Sequence, residues 1–72
     1  MAIPEMHPVS SSNIAAVGYD AENQWVYVQF LNSSMYAYKS VPQHEFENLR
    51  CAPSVGSYLN RNFKNVYPYE RM

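Results

Sequence analysis

The chain has 72 residues and a formal net charge of -1, a size that allows one domain with a thin core. Hydrophobic residues make up 47% of the chain and charged residues 15%, which is the composition of a folded protein and not of a disordered one. An enclosed active-site cleft would remove much of so small a core, so the length disfavours an enzyme and favours a module that binds with its surface.

The predicted chain begins with an extended arm and continues as one domain. Residues 1–9 contain Pro4 and Pro8 and show no periodicity, whereas residues 10–72 contain stretches with the hydrophobic patterns of strands and helices. The stretches "NIAAVGY", "QWVYVQF" and "MYAYK" read as strands, and the polar segments "DAEN" and "LNSS" read as the turns between them. These elements predict a three-stranded antiparallel meander.

The second strand has two different faces. Val26, Val28 and Phe30 lie on one face, and Trp25 and Tyr27 lie on the other, because side chains alternate along a strand. The valine and phenylalanine face is the more apolar one, so we predict that it is buried. Trp25 and Tyr27 are then expected to remain in water.

Two short helices are predicted after the strands. Ser40 followed by Gln43 resembles a capping box and predicts a helix around residues 42–51, which ends before Pro53. Ser54 is expected to cap a second helical segment around residues 54–63. The last stretch, "NVYPYERM", is expected to pack back across the domain. The fold class is therefore α+β, a small meander packed against one or two short helices.

Four stretches of the chain follow one another in a specific order. They are "SSNIAAVGYD", the central "YAY", "VP" before a helix, and "APSVGSYLNRNFKNVYPYERM". In this order they resemble the KTSC family, small domains found at the C-terminus of some lysyl-tRNA synthetases and as free-standing bacterial and phage proteins. The similarity covers about residues 9–72, and the tyrosine-x-tyrosine signature of the family maps onto Tyr36 and Tyr38.

The resemblance implies a compact α+β domain and suggests RNA binding, and it supplies no catalytic residues. The sequence departs from the family pattern mainly at "NSS", residues 32–34, where a turn containing glycine is expected. This difference concerns the hairpin and not the function.

Tyr36 and Tyr38 have two interpretations. Alternate strand positions present both rings on one face, where they would stack RNA bases if that face were open. The other interpretation is that they pack under a helix, and the hairpin register that decides between the two cannot be read from the sequence. We expect at least one of these tyrosines to belong to the core, with its hydroxyl hydrogen-bonded.

Charge is distributed unevenly, with -4 over residues 1–49 and +3 over residues 50–72. The C-terminal part therefore offers a basic patch, although a mixed, solvated surface would have the same composition and the whole chain is a weak polyelectrolyte binder of nucleic acid. The helix start at Ser54 would present backbone N–H groups to a phosphate, or simply be capped. The predicted RNA-binding set combines stacking tyrosines with cations that neutralise phosphate: Tyr36, Tyr38, Tyr58, Arg61, Lys64 and Arg71.

The alternative hypothesis is a protein contact. Trp25 and Tyr27 are favoured interface anchors, and Asp20 and Glu22 on the adjoining turn would address a basic patch on a larger partner. In this hypothesis the chain is a phage-type transcription regulator that binds and inhibits host RNA polymerase. The analogy is with small phage proteins that have no catalytic constellation.

Catalytic and metal sites have little support. Cys51 and His44 are seven residues apart on one predicted helix, about 10 Å along its axis, which is too far for a nucleophile and its base. Two histidines and one cysteine at these spacings match no zinc pattern, so we expect no enzyme activity, no metal, no cofactor and no small-molecule substrate. Cys51 is expected to be a buried or half-buried apolar residue.

The expected location is the cytoplasm, or the bacterial host cytoplasm if the chain is phage-encoded. A single cysteine excludes an internal disulfide and fits a reducing compartment. The start "MAIPEMHPVSSSN" lacks a basic segment followed by an apolar run, so no signal peptide is expected. No apolar stretch approaches the roughly 18 residues of a membrane span, so no membrane partner is expected.

Overall fold

The computed structural model describes residues 4–72 and contains five strands and two helices. In chain order they are β1 (His7–Pro8), β2 (Ile14–Asp20), β3 (Trp25–Phe30), β4 (Met35–Tyr38), α1 (Gln43–Cys51), α2 (Val55–Asn62) and β5 (Tyr69–Arg71). All strands join one antiparallel sheet in the order β1-β2-β3-β4-β5. The α+β class is confirmed, but the predicted three-stranded sheet has two strands too few.

The two additional strands lie at the edges of the sheet. β1 comes from the predicted N-terminal arm and pairs His7 with Val17. β5 follows Pro68 and pairs with β4, and the pairing is extended by a hydrogen bond from the Lys39 N–H to the Pro68 carbonyl oxygen at 2.8 Å. Strands of two and three residues are too short to show a period, so only the pairing with their neighbours reveals them.

The register of the central meander places the tyrosines of β4 on the valine face. Val28 pairs with Tyr36 and Val26 pairs with Tyr38, and partners in a ladder share a face. Val26 and Val28 are fully buried and Tyr38 is only 4% exposed, whereas Tyr36 is half-buried. The prediction that this face is the buried one is confirmed, and so is the prediction that at least one tyrosine of the pair belongs to the core. The expected hydrogen bond of its hydroxyl is not found, because within residues 4–72 the tyrosine hydroxyls that bond to another residue are those of Tyr19 and Tyr58.

Both helices agree closely with their predicted ranges, but only the N-terminal cap of α2 agrees with the prediction. The N-cap of α1 is Pro42, with no side-chain hydrogen bond, and Ser40 has a φ of 59°. The predicted capping box is therefore wrong, because Ser40 lies before the helix in a left-handed conformation. The Ser54 hydroxyl accepts a hydrogen bond from the Ser57 N–H at 3.4 Å, which confirms the predicted cap of α2.

The core lies between one face of the sheet and the two helices. Its helical contribution comes from Phe46 and Leu49 in α1, Val55 and Leu59 in α2, and Phe63 just after α2. These positions recur at spacings of three and four residues, which is the period of an apolar helix face. None of the helices within residues 4–72 has the length and apolar content needed to cross a membrane.

Cys51 is exposed at the end of α1, so the expectation of a buried or half-buried residue is wrong. Successive helix residues are rotated by about 100°. Cys51 therefore projects from the side of α1 away from Phe46 and Leu49, which contact the core.

Residues 4–6, called here the N-terminal segment, lie against the other face of the sheet, called here the outer face. This face carries the alternate positions that point away from the helices, among them Gly18 and its ladder partner Tyr27. A Cβ atom at Gly18 would lie 2.6 Å from the Met6 sulfur and 2.9 Å from the Glu5 carbonyl oxygen. Glycine at position 18 is what allows this close approach of the backbone.

The "NSS" turn between β3 and β4 contains a residue in a conformation that glycine favours. Ser33 has a φ of 73°, and the Ser34 N–H donates to the Asn32 side-chain oxygen at 3.0 Å. A residue with a Cβ in this conformation costs about 1–2 kcal/mol relative to glycine. The turn therefore closes without glycine, and the Asn32 side chain helps to stabilise it.

Candidate functional site

A groove of about 320 Å³ lies between the sheet and α2 on the helix side of the domain. We call it the tyrosine groove because Tyr36, Tyr38 and Tyr69 all line it. Gly56 and Asn60, four residues apart on α2, line the opposite wall, since this spacing places them on one side of the helix. The sheet side of the groove includes Ile14 of β2, Phe30 of β3, and Tyr69 of β5, which pairs with β4.

The three tyrosines of the groove differ in exposure. The ring of Tyr69 lies 5.5 Å from that of Tyr36 and 5.3 Å from that of Tyr38, measured between centroids. Tyr38 also packs edge-on against Phe63 at 5.6 Å and belongs to the core, whereas Tyr69 is 50% exposed. Tyr36 and Tyr69 can therefore stack on a ligand, while Tyr38 supports the Tyr69 ring from the core.

The phenol of Tyr38 stays neutral at physiological pH. Burial raises its pKa above the ordinary tyrosine value, and the neighbouring Tyr69 and Tyr36 raise it further. A neutral phenol keeps its O–H as a hydrogen-bond donor.

Positive charge lies at the edge of the tyrosine groove. Lys64 is exposed and lines the groove. The Arg71 guanidinium lies 3.5 Å from the hydroxyl of Ser34, which also lines it. None of the described residues lining the groove is acidic, so the lysine charge is not offset within it. The groove thus contains three of the six predicted RNA-binding residues, Tyr36, Tyr38 and Lys64, and Arg71 lies beside it next to Ser34.

Tyr58 and Arg61 lie elsewhere, in a second depression of about 290 Å³ on the other side of α2. The Tyr58 hydroxyl donates a hydrogen bond to the Glu45 carboxylate at 2.9 Å. Burial raises the pKa of Tyr58, and the hydrogen bond and charge of Glu45 raise it further. The predicted RNA-binding set is therefore divided between two sides of one helix, and its Tyr58 is already bonded within the protein.

Trp25 and Tyr27 lie on the outer face, where Trp25 is half-buried and Tyr27 is buried. The Lys39 ammonium lies 5.1 Å from the centroid of the Trp25 ring and pairs with the Glu70 carboxylate at 3.2 Å. Tyr27 is only 5% exposed, so the expectation that it lies in water is wrong. The physical reason is that its neighbour Gly18 admits the N-terminal segment onto this face.

The acidic turn beside the outer face is held by its own carboxylate. Asp20 accepts hydrogen bonds from the Asn23 side chain at 2.9 Å and from the backbone N–H groups of Glu22 and Asn23. The bond from the Asn23 side chain is the main reason that the pKa of Asp20 is lowered, with the backbone bonds adding to it. Asp20 therefore shapes the turn, and Glu22 projects from it into solvent.

The described residues offer no obvious metal centre. Within residues 4–72, no three histidine, cysteine, aspartate or glutamate side chains come together in a way that would hold a metal ion. His44 and Cys51 are both exposed on α1.

Sequence reasoning missed the asparagines of the tyrosine groove. Asn13, Asn32 and Asn60 all line it, and Asn13 and Asn32 come from loops that precede β2 and β4. Only Asn60 had a signal in the sequence, because it lies one helical turn from Gly56 and from Lys64. The other two reach the groove through the sheet pairing, which the sequence does not show.

Comparison with known proteins gives consistent matches over most of the chain. The KTSC domain family model matches residues 10–67. A protein of Tsukamurella paurometabola is 40% identical over 55 residues, which are 76% of this chain and 82% of that protein. The crystal structure of a KTSC domain protein from Yersinia pestis is 31% identical, with a TM-score of 0.90 over 94% of this chain and 96% of the other.

A longer protein contains a similar segment. A lysine–tRNA ligase of Nostoc punctiforme is 31% identical over 72 residues, which are 100% of this chain but 13% of the ligase. The similarity therefore concerns a small segment of that enzyme and not its full length.

Proposed function

The chain belongs to the KTSC domain family, and we propose that it is a non-catalytic module that binds RNA or a nucleoprotein through the tyrosine groove. Its place is in the transcription or translation apparatus of the cytoplasm. The similar segment in a lysine–tRNA ligase supports this proposal, because that enzyme's name declares a tRNA substrate.

The observation that carries the proposal is the combination of open aromatic rings with unopposed positive charge. Tyr36 and Tyr69 line the same groove as Lys64, and no acidic residue stands among the described lining residues. Proteins that bind single strands combine these two features, since bases stack on aromatic rings and cations neutralise the phosphates. Each stacked base is worth about 1–3 kcal/mol.

Each residue has a separate role in this proposal. Tyr69, the most exposed ring of the groove, and Tyr36 stack bases, and Tyr38 supports the Tyr69 ring from the core. Lys64 and Arg71 contact phosphates on either side of the bound base. Because the latter contacts are exposed, they are expected to depend strongly on salt.

The test adds the protein to a fluorescein-labelled single-stranded RNA of about ten nucleotides and measures binding by the fluorescence anisotropy of the RNA at several salt concentrations. Two phosphate contacts predict a slope of roughly -1.4 for the logarithm of affinity against the logarithm of salt, at about -0.7 per contact. The double variant Lys64→Glu with Arg71→Glu is expected to abolish binding while the circular dichroism spectrum stays unchanged.

Arg61→Glu is the control, because it makes the same charge reversal as each substitution of the double variant, at one position on the other side of α2. Its only expected effect is a small loss of long-range attraction. If Arg61→Glu abolishes binding and the double variant does not, the site is the second depression. If the wild-type domain binds no RNA but retains RNA polymerase subunits from nuclease-treated lysate, a protein-docking regulator replaces the proposal.

A further inference from the structure

Resting on the proposed RNA binding, we propose that the tyrosine groove accepts a single unpaired base, favours adenine, and reads it through the side-chain amide of Asn60. Three features support this assignment: the size of the groove, side-chain amides in it that make no hydrogen bond to another described residue, and the charge of its walls.

The size of the groove matches one nucleotide and not a run of them. Its volume of about 320 Å³ lies at the lower end of the range of roughly 300–1,000 Å³ for small-ligand sites. Tyr36 and Tyr69 stand with their ring centroids 5.5 Å apart and inclined by 43°, so they form an angled wall and not a long stacking platform. Such a wall supports one ring system, and neighbouring nucleotides would lie outside it.

The groove offers hydrogen-bonding groups that the protein itself does not use. Within residues 4–72 the side-chain amides of Asn13 and Asn60 make no hydrogen bond to another residue, whereas the Asn32 oxygen accepts from the Ser34 N–H. A carboxamide carries both donors and an acceptor. Of the two unused amides, Asn60 stands on a helix and Asn13 on a loop, so Asn60 is the better fixed.

The chemistry of these walls favours adenine over the other bases. An asparagine amide matches the paired N6 donor and N7 acceptor of adenine. The exocyclic amine of cytosine is typically read by a carboxylate, and guanine O6 and N7 are typically read by arginine or lysine in a bidentate manner. The described lining residues include no carboxylate and only one cation, Lys64, which the proposal assigns to a phosphate. Uracil has a smaller ring than adenine and therefore covers less of the wall formed by Tyr36 and Tyr69.

The experiment compares four labelled five-nucleotide RNAs that differ only at the central position: UUAUU, UUUUU, UUCUU and UUGUU. We expect UUAUU to bind about tenfold more tightly than UUUUU, which is the discrimination typical of one good bidentate contact. Asn60→Ala is expected to remove this preference and leave the affinity for UUUUU unchanged. Asn65→Ala is the matched control, since Asn65 is an exposed asparagine just beyond α2 that does not line the groove.

The outcomes separate this inference from the proposed function. If all four RNAs bind equally, or if another base is preferred, the adenine assignment is wrong while RNA binding stands. If UUAUU is preferred but Asn60→Ala keeps the preference, Asn60 is not the reading residue. If none of the RNAs binds at any salt concentration, both the proposed function and this inference are wrong.

Discussion

The two faces of the sheet both carry aromatic side chains, but their surroundings differ. On the helix side, Tyr36 and Tyr69 border an open groove whose nearby cation, Lys64, is not opposed by an acidic lining residue. On the outer face, Trp25 lies under the Lys39 ammonium, and that charge is in turn paired with Glu70. The first region leaves its aromatic surface accessible and its charge unopposed among the described lining residues, whereas in the second region the ring and the charge contact other residues of the chain.

This difference shows why alternation alone does not identify a binding face. Residues that alternate away from the core are free only if no other segment covers them, and here the N-terminal segment reaches Gly18 on the outer face. Residues that alternate toward the core stay accessible where the helices leave a gap. The groove beside α2 is such a gap, and Tyr69 remains 50% exposed within it.

The largest expected effect is that of removing the core ring under the groove. Tyr38→Ala should destabilise the domain by about 3–5 kcal/mol, because the ring is buried against Phe63 and leaves a cavity. That loss is close to the whole stability of so small a domain, so the variant should be largely unfolded. Urea unfolding followed by circular dichroism measures the change in the free energy of unfolding.

Tyr69→Ala is the control for this prediction, since half of its ring is already in water. It should cost less than about 1.5 kcal/mol, which reflects the part of the ring that is buried. If Tyr38→Ala costs no more than Tyr69→Ala, the ring of Tyr38 is not part of the core. In that case the distinction between supporting and stacking tyrosines fails.

The next largest effect concerns the close approach on the outer face. Gly18→Ala should destabilise the domain by about 1–3 kcal/mol, because the added Cβ would lie within 3 Å of the Glu5 carbonyl oxygen and the Met6 sulfur. Gly56→Ala provides the opposite control, since its Cβ meets only Ser11 at 3.5 Å and the residue is helical. That change should stabilise by up to about 1 kcal/mol.

Urea unfolding of both glycine variants shows whether the free energy of unfolding falls in Gly18→Ala and rises in Gly56→Ala. A stabilising or neutral Gly18→Ala would mean that the N-terminal segment does not pack on the sheet. The outer face would then be as open as the groove, and the contrast between the two faces would disappear.

The smallest effect is expected from removing the Lys39 ammonium that lies over the Trp25 ring. Lys39→Met removes both the contact with the Trp25 ring and the ion pair with Glu70, and should cost less than about 1 kcal/mol because the pair is partly exposed. Glu70→Gln removes only the ion pair and should cost still less. Unfolding at low and high salt measures both, and the difference between wild type and either variant should shrink at high salt.

RNA affinity separates these outer-face variants from groove variants. Lys39→Met should lower the affinity only slightly, through the loss of one distant positive charge. A loss as large as that of the Lys64 and Arg71 double variant would place RNA on the outer face and overturn the comparison.

The sequence predicted the parts of the fold that carry a clear period. The alternation of "QWVYVQF" predicted β3 and its buried face, and Ser54 correctly marked the start of α2. The edge strands β1 and β5 have two and three residues with a proline in or before them, so they lack a period and exist only through pairing. The local sequence pattern therefore could not predict a sheet of five strands.

The site was predicted only in part, for a related reason. Tyr36, Lys64 and Arg71 are residue types that suit RNA, but Tyr36 and Arg71 become neighbours only through the register of β4 with β5, and Lys64 joins them through the position of α2. Tyr58 and Arg61 have the same chemistry and fall on the other side of α2, since a shift of one or two positions along a helix changes the side. Composition identified suitable residues, and the tertiary structure decided which of them share a groove.

The most direct test of the central claim is to map the RNA-contacting face by nuclear magnetic resonance. The isotope-labelled domain is titrated with UUAUU, and the tyrosine ring signals and backbone amide signals are followed together with the Trp25 indole N–H. RNA binding in the tyrosine groove predicts that the signals of Tyr36, Tyr69, Asn60 and Lys64 shift in a saturable manner while those of Trp25 and the acidic turn stay unchanged. Saturable shifts centred on Trp25, or none on either face, would contradict it.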